Sequence, residues 1–546
     1  MTRQPGGADS APEWAPAPPG PGAGSDAGQD GRPLAGGGPQ DAGRGARPEA
    51  SLDTTAATTG SEARPRLQIL SPAAIRRIHT ATLDVIERVG VRFPSARAQE
   101  IWAANGATVD RATGTVRVPG HVIEAALKTA PASYVLGARN PAQDLPLDGH
   151  HVHLATDGCG IEVLDPWTLD VRRSTLQDVA DIARVADALD AIAFHWVAVS
   201  AQDRPPATRP LEEIAAVWRN STKHAQSESV VTGEDAATVI EMAAVVAGGR
   251  DALRARPVFS MMQCTISPLA HDGGSIDAGL IAAEAGVPVG YMTMASCAFS
   301  GPATIAGSLI VGNAEVISAL ALMQLAYPGC PVYYAAAQTA MDLRSGAYTG
   351  GGPEDFLFGA ATNELADFYD VPLSMGAYAT GAKRSDWQAG LENGLSSFMA
   401  SVAGSDMLLG AGLLHGSRIW SYEQMILDTE IDGIVKAMLG GIPTDDVSLA
   451  LEAIEEVGPG GEYLTLPHTR THMRALWQAK YLDRRPYGQW AADPDKPHRE
   501  ALERARTLLK DHRPEPLEPA LDAELDRLIG AHAADPAVFL SADARP

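Results

Sequence analysis

Aromatic side chains are scarce in this 546-residue chain, at 5% of positions, and cysteine is scarcer, with Cys159, Cys264, Cys297 and Cys330 set far apart. The absence of any CxxC pair argues against a disulfide framework and a zinc ribbon and points to a reducing cytoplasm. Positive charge is also short. Against 67 Asp and Glu stand 43 Lys and Arg, a net charge of -24 with no concentrated basic face, so no nucleic-acid partner is expected. No apolar run is expected to span a membrane, and the opening "MTRQPGGADSAPEWAPAPPG" lacks the apolar middle of a secretory signal. The expectation is a soluble, unexported protein with no membrane partner.

What is present is enough for a large core, with 45% hydrophobic residues. Residues 1–65 are Gly/Pro/Ala-rich with almost nothing aliphatic, a composition that predicts a disordered tail. Folded chain begins near Ser71, a candidate N-cap before Pro72, with Ile75, Ile78, Leu83, Ile86 and Val89 at roughly helical spacing. Residues 66–190 read as a helical and hairpin-bearing N-terminal portion. From 191 to 440, seven apolar runs, "AIAFHWVAVS", "KHAQSES", "PVFSMMQCTIS", "VPVGYMTMAS", "PVYYAAAQT", "VPLSMGAY" and "DMLLGAGLL", alternate with helical stretches. Lacking polar alternation, they predict strands of a parallel sheet buried on both faces. A (β/α)8 barrel is the first reading, although no eighth strand is evident; a doubly wound sheet is the alternative, weakened because no GxGxxG follows a strand. Residues 441–546 read as a C-terminal helical cap or oligomer-forming element, ending in a loose tail.

In such a barrel chemistry gathers where strands end. The candidates there are Gln226, Glu228, Gln263, Thr265, Tyr291, Thr293, Tyr334, Gln338, Tyr378 and His415. No nucleophile–base set stands out among them, so no catalytic residue is assigned. "HTRTH" puts His468 and His472 at zinc-site spacing but lacks the Glu of the protease motif, and a structural role is preferred. A zinc-activated enzyme, using Cys264 and Cys297 with His271 or His415, remains an open alternative.

Four separated stretches carry a family resemblance: "GCGIEVLDPWTLDVRRSTLQDVADIARVADALDAI", "MDLRSGAYTGGGPEDFLFGAATNELADFYDVPLSMGAYATGAKRSDWQAG", "SYEQMILDTEI" and "HTRTHMRALWQAKYLDRRPYGQW". Over about 65–510 the chain resembles the trimethylamine methyltransferase family, which also contains glycine betaine methyltransferases. The resemblance implies a (β/α)8 barrel that takes a methyl group from an amine and gives it to the corrinoid of a separate small protein, with no tightly bound cofactor of its own. A homo-oligomer is expected, in the cytoplasm that the cysteine usage indicates. The founding branch carries pyrrolysine in the loop matching Tyr378 to Thr380; ordinary residues stand there, so the chain is similar to the branch without it. Quaternary amines, glycine betaine or a related betaine, are therefore the expected substrates.

Attack on a methyl carbon of a quaternary nitrogen releases a neutral amine, so no general acid is required and the need is for a dry, positioning site. A trimethylammonium group is held by aromatic faces. Tyr334, Tyr348 and Tyr378 are proposed for the cage, with Tyr291 nearby, and only one of Tyr333 and Tyr334 can face inward. Lys383 or Arg344 would pair with a betaine carboxylate, unless each forms a surface ion pair with Asp386 or Asp342. Gln263 and Gln338 would orient substrate, or satisfy backbone. His415 and Glu423 would face the corrinoid, with a helix-start role the alternative for Glu423. Trimethylamine as substrate, tetrahydrofolate as acceptor, and a non-catalytic amine-binding barrel stay open.

Overall fold

The computed structural model describes residues 66–348 and 350–534, except the side chain of Tyr348. The tail expected over 1–65 and the end of the chain lie outside the described residues. Eight strands form a closed barrel: β1 (His153–Thr156), β2 (Ile192–Trp196), β3 (His224–Ser227), β4 (Phe259–Cys264), β5 (Val289–Thr293), β6 (Val332–Ala336), β7 (Leu373–Gly376) and β8 (Met407–Ala411). Their order around the barrel follows the chain and every neighbouring pair is parallel. Each strand is followed by one long helix: α1 (Leu176–Asp187), α2 (Arg209–Asn220), α3 (Gly233–Ala247), α4 (Gly273–Ala285), α5 (Ile305–Ala326), α6 (Pro353–Tyr369), α7 (Trp387–Ala403) and α8 (Tyr422–Leu439).

All seven apolar runs are barrel strands, and β5 and β6 are buried at every residue, as runs without polar alternation require. Helix boundaries follow local chemistry. Asp272 accepts from the Ser275 amide to start α4, and Ser421 accepts from that of Gln424 to start α8. Gly286 ends α4 at φ 76°, left-handed backbone that suits glycine.

Two expectations are corrected. The barrel does not begin at residue 191, since its missing strand is β1, inside the stretch assigned to the N-terminal portion. That strand is four residues long, carries His153 and Thr156, and leads at once into an antiparallel hairpin (Glu162–Leu164 with Val171–Arg173), which disguises its parallel partners. The second concerns apolar length. α5 spans 22 residues and is apolar enough to cross a membrane by length and composition. Its residues are mostly buried because α5 lies between β5 and β6 on one side and the helices Pro72–Arg88 and Gly120–Leu127 on the other.

The barrel floor is closed by the hairpin Tyr134–Leu136 and Leu145–Leu147, whose leucines pack inside with Phe194, Tyr333 and Met407. The hairpin is tied to strand starts: Tyr134 Oη donates to Val332 O at 3.1 Å, and His224 bonds Gly137 O at 2.7 Å. Chemistry is left the opposite mouth. Two small sheets border it, one joining the loops after β1 and β8, the other (Ser296–Cys297, Thr339–Asp342, Ala347–Tyr348) joining the loops after β5 and β6. The C-terminal helices Lys496–Asp511 and Pro519–Ala533 buttress the outer layer, the second through Arg219 to Asp522 at 2.5 Å and to Asp526 at 2.6 Å.

Candidate active site

Alternation along each strand decides which side chains enter the barrel. On β6, Tyr333 faces in: its ring packs with Met262, Met292 and Leu409, and its hydroxyl donates to Met261 O at 2.8 Å. Gly290 on β5 makes the room, since a Cβ there would stand 2.0 Å from the Tyr333 ring. Tyr334 therefore faces out, its hydroxyl 3.3 Å from Asn313 Oδ1 on α5. Tyr291 also faces out, with its hydroxyl 3.8 Å from Met323 Sδ. Tyr378 is fully buried against the outer layer and its hydroxyl makes no hydrogen bond among the described residues. The proposed tyrosine cage is thus not assembled, because Tyr291, Tyr334 and Tyr378 all belong to the layer between sheet and helices. The side chain of Tyr348 lies outside the described residues.

The other sequence candidates are mostly structural ties. Gln263 Nε2 donates to Val230 O at 2.9 Å and Gln338 Nε2 to Ser308 O at 2.8 Å, each fastening one strand end to a neighbouring loop or helix. Lys383 is exposed and donates to Gly381 O in its own loop; Arg344 is exposed and pairs with Asp342 at 3.3 Å. Thr265 and Thr293 both donate to Glu315 of α5, at 2.6 and 2.9 Å. His415 sits exposed at φ 58° on the hairpin beyond β8, its amide donating to Ala382 O. Glu423, in the first turn of α8, is held by His498 at 2.7 Å.

The mouth belongs instead to the ends of β1 to β4. Asp157 ends β1 and is buried; it accepts from Gly158 N at 2.6 Å and Ser417 Oγ at 2.8 Å. Glu228 ends β3 and is half-buried, with Cys159 Sγ 3.7 Å and Cys264 Sγ 3.8 Å from its Oε2. Burial first, and the Asp157 charge second, push the Glu228 carboxyl up to about 8; burial likewise raises Asp157. Both thiols are driven well above the ordinary cysteine range, by burial and then by Glu228, so they stay protonated and donate to the carboxylate. Among the described residues, neither acid has a Lys, Arg or His ion-pair partner.

Trp196, closing β2, faces inward and rests on Gly158, where a Cβ would fall 2.1 Å from the indole. Its Nε1, and Nε2 of neighbouring Gln226, are buried donors with no partner among the described residues. A cleft of about 360 Å³ opens beside these residues, lined by Gly158, Cys159, Glu228, Ser229 and Cys264 and by Glu213, whose carboxyl burial pushes up to about 7.

The alternative zinc set is scattered. Cys264 faces Glu228, Cys297 Sγ contacts Ser308 Oγ at 3.3 Å, and His271 stacks on Phe93, ring centroids 4.7 Å apart. His468 and His472 do share a helix face, centroids 4.4 Å apart, but no group of three or more metal-ligating side chains occurs among the described residues. Glu228 was legible as a strand-end candidate. Asp157 and Trp196 were missed, Asp157 because β1 went unseen, although "HLATDG" carries the same strand-then-turn signal as its neighbours.

The family model described as trimethylamine methyltransferase matches residues 37–535. A trimethylamine methyltransferase MttB from Desulfitobacterium hafniense is 35% identical over 453 residues, 83% of this chain and 91% of that protein. A glycine betaine methyltransferase from another strain of that species is 32% identical over 470 residues, 85% of this chain and 97% of that one. The solved monomethylamine methyltransferase of Methanosarcina barkeri aligns with a TM-score of 0.49 at 11% identity, over 81% of this chain and 88% of that chain. By the extent of the family match and by these identities, the chain belongs to the trimethylamine methyltransferase family and is a methyltransferase.

Proposed function

We propose that this enzyme demethylates a quaternary amine held at the barrel mouth and passes the methyl group to the Co(I) corrinoid of a separate protein. The observation that carries this reading is the pair Asp157 and Glu228, two acids drawn from different strands whose protein partners are all uncharged. Buried carboxylates without a protein counterion are stabilised by a cationic ligand, and a permanently charged nitrogen supplies one at any pH. Trp196 offers the aromatic face that such a group prefers.

In the transfer, the acceptor's electron pair forms the new bond to the methyl carbon in line with the breaking C–N bond. The bonding pair stays on nitrogen, so a neutral amine departs and no proton moves. The protein's part is to orient the carbon and exclude water. Protonated thiols suit that role, since they bond to Glu228 without competing as nucleophiles.

Among quaternary amines, glycine betaine is favoured by the relative that bears its name. Its carboxylate would take the two unpartnered donors, Trp196 Nε1 and Gln226 Nε2. Lys383 and Arg344 have no part in this, being committed elsewhere. A second reading, trimethylamine, is favoured by the acidic mouth and by the relative named for it.

A large acceptor fits the rim. Phe299 (74% exposed) and Leu343 on the loops after β5 and β6, with Trp387 (77% exposed) at the start of α7, make an apolar border suited to a docked protein. The acceptor's corrinoid is thus supplied from outside, and a cytoplasmic setting is proposed for both partners. The test is to mix the protein with cob(I)alamin and a panel of methylated amines and follow methylcobalamin by absorbance. Transfer from a quaternary amine is expected. Transfer only to tetrahydrofolate, or tight amine binding with no transfer to either acceptor, would overturn the reading.

A further inference from the structure

After α8 the chain leaves the barrel at residue 441, is pinned back to α8 where the amides of Lys480, Tyr481 and Leu482 donate to Glu430 at 2.9, 3.1 and 3.2 Å, and rejoins the outer layer at the helix Lys496–Asp511, which packs on α8 and α1. The excursion between is an arm of short helices (Asp446–Leu449, Leu451–Val457, Pro467–His472, Tyr487–Ala492) with no core of its own; within those helices Ala453 alone is buried. It displays large apolar side chains to solvent, among them Ile442 at 78% exposure, Leu464 at 80% and Tyr487 at 79%, with Leu451 and Leu476 between. An exposed apolar stretch of this length marks a surface that another protein covers.

Charge identifies the cover. From Asp445 to Glu462 the arm carries six acids and no Lys or Arg; from Pro467 to Arg485 it carries five Lys and Arg and one acid. The ion pairs of the arm's described residues lie at its end, Asp483 with Arg485 and Asp493 with Arg499, so the opposite charges of the two halves do not neutralise each other within one chain. A partner of either sign would be repelled by one half. A second copy related by a two-fold axis sets acidic half against basic half, twice over, because each contact in such an interface occurs in duplicate.

We propose that the arm, residues 441–495, is a self-complementary dimerisation element that pairs antiparallel with the same arm of a second copy of this chain. The reading is independent of the substrate.

The test is sedimentation velocity of the full chain at low salt, with two charge-reversed variants: Glu452→Arg/Glu455→Arg/Glu456→Arg, and Arg470→Glu/Arg474→Glu/Arg484→Glu. All six positions are exposed, and circular dichroism checks that each variant folds. Wild type is expected to run as a dimer or an even multiple, and each variant alone to associate at least about 10-fold more weakly through like-charge repulsion. Mixing the two variants, one arm now net basic and the other net acidic, restores association. A monomeric wild type, variants that associate as well as wild type, or a mixture that fails to recover would each overturn the proposal, as would loss of binding to a separate protein without change in self-association.

Discussion

Cys159 and Glu228, the first just past the end of β1 and the second at the end of β3, meet at the barrel mouth with Sγ 3.7 Å from Oε2. The thiol gives the carboxylate a hydrogen bond and no charge. That leaves Glu228 among neutral donors, facing Asp157, with its carboxyl pushed up to about 8.

pH dependence follows from that shift. Glu228 is neutral below about 8 and attracts a cation only when ionised, so kcat/KM for a quaternary amine rises with pH and levels above about 8. In Glu228→Gln the rise attributable to this group disappears and kcat/KM at pH 9 falls about 10- to 100-fold, the scale of a lost charged contact. Stability runs the opposite way. The folded carboxyl holds its proton to higher pH than the unfolded one, so its contribution is fullest below 4.5 and is lost as pH rises toward 8. Thermal melts should show Glu228→Gln gaining on wild type at pH 9 relative to pH 5.

Trp196 is the proposed aromatic wall of the mouth. Trp196→Ala should raise KM about 10-fold, the order expected for a desolvated cation–aromatic contact, with a smaller change in kcat. Gly158→Ala should act on the same ring, since its methyl would enter the indole's space and displace it at about 1–3 kcal/mol. Steady-state kinetics with a single amine separates the two.

Tyr378 and Tyr334 now predict stability effects. The Tyr378 hydroxyl is buried and makes no hydrogen bond among the described residues, so Tyr378→Phe should leave KM unchanged and cost no stability on urea denaturation. Tyr334→Phe, which removes the bond to Asn313, should destabilise by about 1 kcal/mol with KM again unchanged.

The proposed docking of a protein acceptor on the apolar rim predicts a difference between acceptors of different size. Trp387→Ala and Phe299→Ala should slow transfer to a protein-bound corrinoid while leaving transfer to free cob(I)alamin unaltered, as both side chains lie outside the mouth.

The barrel was legible because its strands are buried on both faces, which writes seven apolar runs into the sequence; β1 was not, because four residues with two polar side chains give no period. The cage failed for a reason of a different kind. Tyr333 and Tyr334 are adjacent, and nothing local says which face of β6 looks inward; the register with Gly290, whose missing side chain admits the Tyr333 ring, settles it. Asp157 and Glu228 are 71 positions apart in sequence, and only closure of the barrel brings them to one mouth. The arm's charge division, by contrast, was present in the sequence throughout and gained meaning from the exposure of its apolar residues.

The account stands on an acid pair that takes a cation as its counterion. Isothermal titration of a quaternary ammonium ligand into wild type and Glu228→Gln at pH 7.5, in buffers of different ionisation enthalpy, tests it directly. The account predicts binding to wild type with release of protons as the cation draws the Glu228 carboxyl down from about 8, and at least about 10-fold weaker binding without that release in the variant. Equal affinity in both proteins, with no proton release in either, would contradict it.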